Sequence, residues 1–163
     1  MDLLSLIPDN IAEVLTGILR FTELRRRILH TNIHGVDVPG FVPQDMPVRE
    51  FAEILNDALA EHLRNRRLLF RDTTNIAFGP NSSTRIRPVV DEEALALLQK
   101  SRDEYMELQI GKLLENTLNR KVAIELLAQK CGVRPDTLEW SVNMTLTGDN
   151  PMENSSTHCD KAE

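Results

Sequence analysis

The chain has 163 residues, 41% of them hydrophobic and 27% charged, so it is long enough for one domain with a real core and too apolar for wholesale disorder. Aromatic residues make up only 4%, which leaves Leu, Ile, Val and Ala to fill the interior, the composition of packed helices rather than of a sandwich. The formal net charge of −6 speaks against a duplex nucleic-acid partner, whose phosphates are bound by a cationic surface, and no stretch approaches the roughly 20 apolar residues of a membrane span.

From Ile11 the apolar residues recur at Val14, Leu15, Ile18, Phe21, Leu24, Ile28 and Leu29, steps of three and four that draw one face of a helix over 10–34. Asp9 or Asn10 can cap its start, and Glu13 suits the positive end of its dipole. Val36-Asp37-Val38-Pro39-Gly40-Phe41-Val42-Pro43 ends it, because each proline forces the residue before it into extended backbone and Pro-Gly turns the chain. A turn or extended segment is expected over 35–46.

A second helix is expected over 47–65, with Pro47 in its first turn and Val48, Phe51, Ile54, Leu55, Ala58 and Leu59 on one face. Over 66–90 the periodicity breaks at Thr73, Thr74, Asn75 and Gly79-Pro80-Asn81, which reads as a loop with short extended pieces at 68–70 and 85–90. Asp91-Glu92-Glu93 then opens a long helix expected over 91–131, stopped at Cys131-Gly132. Met106, Ile110, Leu114, Leu118, Val122 and Leu126 follow one another at intervals of four, a row that drifts about 40° per step around the helix. With Leu108, Leu113 and Leu127 it makes an apolar band too wide for one neighbouring helix to cover. Beyond Gly132, polar residues, Gly148 and Pro151 predict a flexible tail over 133–163. The fold expected is mainly α: long N- and C-terminal helices packed as a hairpin or coiled-coil-like pair around a less regular middle, in a single domain over 1–132.

Chemistry-bearing constellations are sparse. His30 and His34 share one helix face at metal-ligand spacing, but Thr31-Asn32-Ile33 between them supply no glutamate, and no metal or cofactor is expected. The carboxylates of Asp91-Glu92-Glu93 and Asp103-Glu104 point about 100° apart and cannot converge on one bond. Cys131 and Cys159 read as incidental thiols. The arginines at 25–27 and at 64, 66, 67 and 71 are diluted by acids and lack interleaved aromatics, so they do not make a nucleic-acid surface. The reading is of a protein without catalysis, and apolar stripes lacking cover within the chain point to assembly.

One stretch is more specific. Leu29-His30-Thr31-Asn32-Ile33-His34-Gly35-Val36-Asp37-Val38-Pro39-Gly40-Phe41 resembles the N-terminal signature of the bacterial flagellar rod, hook and hook-filament-junction proteins. There a long first helix ends in Asn-hydrophobic-Ala-Asn and leads to Thr-Pro-Gly-Tyr; Asn32, Ile33, Asp37, Pro39, Gly40 and Phe41 stand in register, with Gly35 in place of the second asparagine and Val38 in place of the threonine. Gln44-Asp45-Met46-Pro47-Val48 is similar to the Arg-Asp-Ile-Asp-Phe segment that follows in one member. The resemblance implies a subunit exported by the flagellar type III apparatus without a cleaved signal, bound for the periplasmic rod of the basal body. Its partners would be copies of itself, other rod proteins, the basal-body ring and the export apparatus. It implies that Leu29, Asn32, Ile33, Asp37, Pro39, Gly40 and Phe41 make the family motif and its subunit contacts. Ile18, Phe21, Leu24 and Ile28 are expected to meet Leu113, Leu114, Leu118 and Val122 within or between subunits. The competing expectation is a helical adaptor or chaperone-like binding module.

Overall fold

In the computed structural model, residues 10–79 and 84–139 are described. Helix α1 runs Asn10–Gly35, as the apolar spacing predicts. Past it the amide of Val38 bonds the Gly35 carbonyl and that of Phe41 bonds the Val38 carbonyl, with Gly40 at φ +75°, a conformation that a side chain would resist. The ring of Phe41 folds back onto Gly35, where an added Cβ would lie 2.5 Å from ring carbon. Gly35→Ala is therefore expected to lower stability by about 1–3 kcal/mol, read as a fall in the urea midpoint.

Strand β1 (Gln44–Asp45) follows, then α2 (Val48–Asn65), which begins after Pro47 and ends on Arg66 in the left-handed conformation. Strands β2 (Ile76–Phe78) and β3 (Thr84–Ile86) form an antiparallel hairpin in the register Ile76↔Ile86. Strand β4 (Val89–Val90) returns to pair with β1, Gln44 opposite Val90, and so ties the exit of α1 to the entry of the last helices. The extended piece expected over 68–70 is not a strand.

The one helix expected over 91–131 is two: α3 (Glu92–Lys100) and α4 (Arg102–Cys131). Ser101 breaks them apart with extended backbone (φ −153°, ψ 111°), and its hydroxyl accepts from the Glu104 amide, so it caps α4 rather than continuing α3. Asp91 caps α3 in the same way through the Ala94 amide. Gly132, at φ +67°, closes α4 with its amide on the Ala128 and Gln129 carbonyls.

The protein is mainly helical, and the long helices α1 and α4 pack together. Contacts run antiparallel, Asn32 beside Gln109 and Leu19 beside Arg120. At one end Leu15 and Leu19 of α1 bury against Ala123, Ile124 and Leu127 of α4. A second core gathers Phe21, Met46, Phe51, Ile54 and Ile76, with the Phe21 and Phe51 rings stacked 4.0 Å apart. Ile18 touches both. Residues 133–139, expected within a flexible tail, carry a helical turn at 135–139 that sets Leu138 on the first core. Burial of that leucine outweighs the polarity of its neighbours. The rest of the expected tail, like Asp9 as a cap, lies outside the described residues.

Candidate functional site

The signature residues converge where α1, β1 and α4 meet. Asn32 is buried, and its Nδ2 donates both to the Gln44 carbonyl (2.7 Å) and to Gln109 Oε1 (2.9 Å). Its Oδ1 accepts from the Gln44 amide, and its own carbonyl accepts from the Tyr105 hydroxyl at 2.9 Å. One side chain thus fixes both the strand and the last helix, a task that needs an amide with donor and acceptor on one fork. Leu29 is fully buried one turn earlier. Asp37 pairs with Arg102 at the start of α4, and Pro39 and Gly40 lie exposed in the turn. Ile33 and Phe41 are half-buried, the latter on the chain's own Gly35. The signature knits this chain to itself.

Beside it lies a buried ionic chain. Arg25 grips Asp45 through two bonds of 2.9 and 3.0 Å and reaches Glu115 at 3.4 Å. Lys112 bridges Asp45 (3.3 Å) to the cap residue Asp91. Burial alone would draw the Arg25 proton off more easily, but the hydrogen bond and charge of Asp45, with Glu115, more than reverse this and hold it on. Burial pushes the Tyr105 phenol up, helped by the charge of Asp91. Asp45 also accepts from the Met46 amide, so the short strand carries its own anchor.

Farther along α1 the helix pair is again joined by polar groups. Asn116 Nδ2 donates to the Thr22 carbonyl and Arg120 to the Leu19 carbonyl. Glu23, itself buried, accepts from Arg26 and Arg27 and lies 3.8 Å from Arg120. Burial would raise the Glu23 carboxyl, but the bonds from Arg26 and Arg27 and the charges of Arg26 and Arg120 outweigh it and hold it below the ordinary range. A carboxyl with a depressed folded pKa adds stability above its unfolded value, and loses it as pH falls through the folded one. Glu23→Gln should therefore weaken the protein near neutral pH and flatten the loss of its urea midpoint below about pH 4.

With polar residues turned inward, the apolar row of α4 faces out. Ile110, Leu114, Leu118, Val122 and Leu126 are each 48–60% exposed. Leu118 stands nine positions after buried Gln109, about 180° around the helix. Of the residues expected to pair between the two helices, Leu114, Leu118 and Val122 point away from α1 and Leu113 is half-buried. Phe21 and Ile28 join the second core instead, and Leu24 is exposed. Within the chain, then, α1 meets α4 through Leu15, Leu19, Thr22 and Asn32, and turns its Phe21 side to α2 and the hairpin.

That side of α1 opens into a groove of about 550 Å³ between α1, α2 and the β2–β3 hairpin. Phe21, Leu24, Phe51, Leu55, Phe78 and Ile86 line it, with Arg20 and Arg27 along the α1 bank. Gly17 lies on its wall with open space where a Cβ would be. The groove has no local signature in the sequence, since its walls come from three distant segments, among them Phe70 and Phe78, whose rings stack 5.0 Å apart.

His34 Nδ1 lies 2.7 Å from the His30 carbonyl on an exposed helix end, and among the described residues no three His, Cys, Asp or Glu side chains are grouped to hold a metal. No described helix is long and apolar enough to cross a membrane. Comparison of the chain with family models, with curated proteins and with solved structures gives no match.

Proposed function

We propose that this protein is a structural subunit of the bacterial flagellar rod, similar to flagellar basal-body rod protein B of the proximal rod, polymerising without catalysis into the hollow axial shaft. It would be exported by the type III apparatus, reach the periplasmic basal body, and meet other rod proteins as well as its own copies. The observation that carries the reading is the outward apolar row of α4. Three polar residues of that helix, Gln109, Asn116 and Arg120, lie buried against α1, while five large aliphatic side chains are left in water.

The signature supports the same reading from the other direction. Asn32, with the Arg25–Asp45 pair beside it, ties α1 to β1 and α4 and so holds the antiparallel pair of long helices that the rod reading calls for. Full burial of an aliphatic side chain contributes about 1.5–3 kcal/mol, so covering the remaining half of five gives on the order of 5 kcal/mol. Association costs some 4–15 kcal/mol in lost freedom. One ridge by itself therefore makes a marginal dimer, and a lasting assembly needs more than one surface per copy. Such economy suits a subunit that stays soluble until it is delivered to a growing end.

The groove favours a second reading, a helical adaptor that receives an apolar segment of another protein. Sedimentation of the purified chain across a wide concentration range separates the two. A rod subunit is expected to grow in mass with concentration and to form elongated particles visible by electron microscopy; an adaptor stays monomeric at all concentrations, and that result would remove the rod assignment.

A further inference from the structure

His30 and His34 stand near the end of α1, both exposed, with their ring centroids 6.4 Å apart. Residues four apart on a helix lie one above the other, about 5–6 Å between Cβ atoms, so both rings project from one face. His34 Nδ1 lies 2.7 Å from the His30 carbonyl. A carbonyl can only accept, so Nδ1 carries the proton, and in the neutral ring Nε2 keeps the lone pair. Metal-binding imidazoles are commonly set this way, with the second ring nitrogen held by a backbone carbonyl.

The surroundings admit a cation. Metal–nitrogen bonds of about 2.0–2.1 Å and a tetrahedral angle bring two such rings to about 5 Å between centroids. Exposed side chains can close the remaining distance by a change of rotamer. Helix α1 closes at Gly35, so the pair sits at the end where the helix dipole favours positive charge. Arg26 and Arg27, one turn back, are held by Glu23, and Asp37, just beyond, is held by Arg102.

We infer that His30 and His34 form a two-point chelate for one late first-row divalent cation, with water in the remaining positions. A closed zinc site takes four protein ligands and a catalytic one three. A surface chelate needs only two, and among the described residues no third is grouped with this pair. Imidazole selects copper, nickel and zinc over magnesium and calcium, which prefer oxygen. The cation clasps the last turn of α1 just ahead of the turn over 36–41. Binding the folded helix in preference to the unfolded chain, it raises stability. Nothing in this site depends on assembly.

Calorimetric titration tests it on the full chain, with Cys131→Ser and Cys159→Ser removing the thiols and EDTA any carried-over metal. One copper, nickel or zinc ion per chain is expected, copper bound tightest, with no heat from magnesium. Zinc is also expected to raise the urea midpoint. His30→Ala and His34→Ala, both at exposed positions, should each keep the helical circular dichroism while weakening binding by at least about tenfold. The zinc shift of the midpoint should vanish in both, and His62→Ala should leave affinity and shift unchanged. Undiminished affinity in either single variant, or no heat with millimolar copper, would overturn the chelate. One cation per two chains, with doubled mass in sedimentation, would place the metal between copies and overturn it as well.

Discussion

Leu114→Asp combined with Leu118→Asp is expected to abolish assembly and motility while the protein is still made, folded and exported. In the free chain both leucines are more than half exposed, so the exchange removes little buried surface and costs chiefly helix propensity, under about 1 kcal/mol in all. Circular dichroism and the urea midpoint should hardly move. In an assembled wall the same positions would be covered, and an unpaired buried carboxylate costs several kcal/mol. Two of them exceed the roughly 5 kcal/mol that the whole row contributes when covered. Isolation of basal bodies from cells carrying the double variant checks this directly, and normal rods there would speak decisively against the proposed function.

Arg25→Ala is expected to show the opposite pattern, a large loss of stability of about 3–5 kcal/mol, because it strands the buried Asp45 carboxylate. Arg25 and Asp45 expose only 5% and 11% of their side chains, and the two bonds between them are bidentate. Lys112 still reaches Asp45 at 3.3 Å, which places the expected loss at the lower end of the range. Against the roughly 5–15 kcal/mol by which a folded domain is stable, such a loss leaves the variant folded but takes a fifth or more of its stability. A thermodynamic cycle with Asp45→Ala should return a coupling above about 1 kcal/mol, measured by urea denaturation. A shift of less than that for Arg25→Ala alone would mean that the ionic chain does not hold β1 to α1.

The contrast between these two results follows from which face of α4 is inside. Amphipathic spacing alone predicts the leucine row inward, since apolar residues usually leave water. Here the inward face is mixed: Ala123, Ile124 and Leu127 pack on Leu15 and Leu19, while three polar side chains find partners on α1, Asn116 the Thr22 carbonyl, Arg120 the Leu19 carbonyl and Gln109 Oε1 the Asn32 amide. Met106 and Leu113 are half-buried, and the rest of the row, Ile110, Leu114, Leu118, Val122 and Leu126, is exposed.

Local signals marked several boundaries well. The Pro-Gly turn after α1, Pro47 before α2 and Gly132 after α4 are where backbone chemistry places them. Ser101-Arg102-Asp103-Glu104 has the form of a capping box, yet an uninterrupted helix over 91–131 was the simpler reading of the apolar pattern; the cap prevails because Ser101 is extended and its hydroxyl meets the Glu104 amide. The β2–β3 hairpin was only partly legible, its first strand lying in a stretch rich in Thr and Asn.

By itself the amino-acid sequence determined the mainly helical class, the two long helices, the turn between α1 and β1 and an apolar row with a period of four, because each depends on interactions within a few residues along the chain. The tertiary structure alone decided which way that row points, that Asn32 and Arg25 bind α1 to β1 and α4, and that a groove opens on the far side of α1. Those features depend on groups brought together from tens of residues apart, where the reach of a hydrogen bond, not the spacing of a pattern, selects the partner.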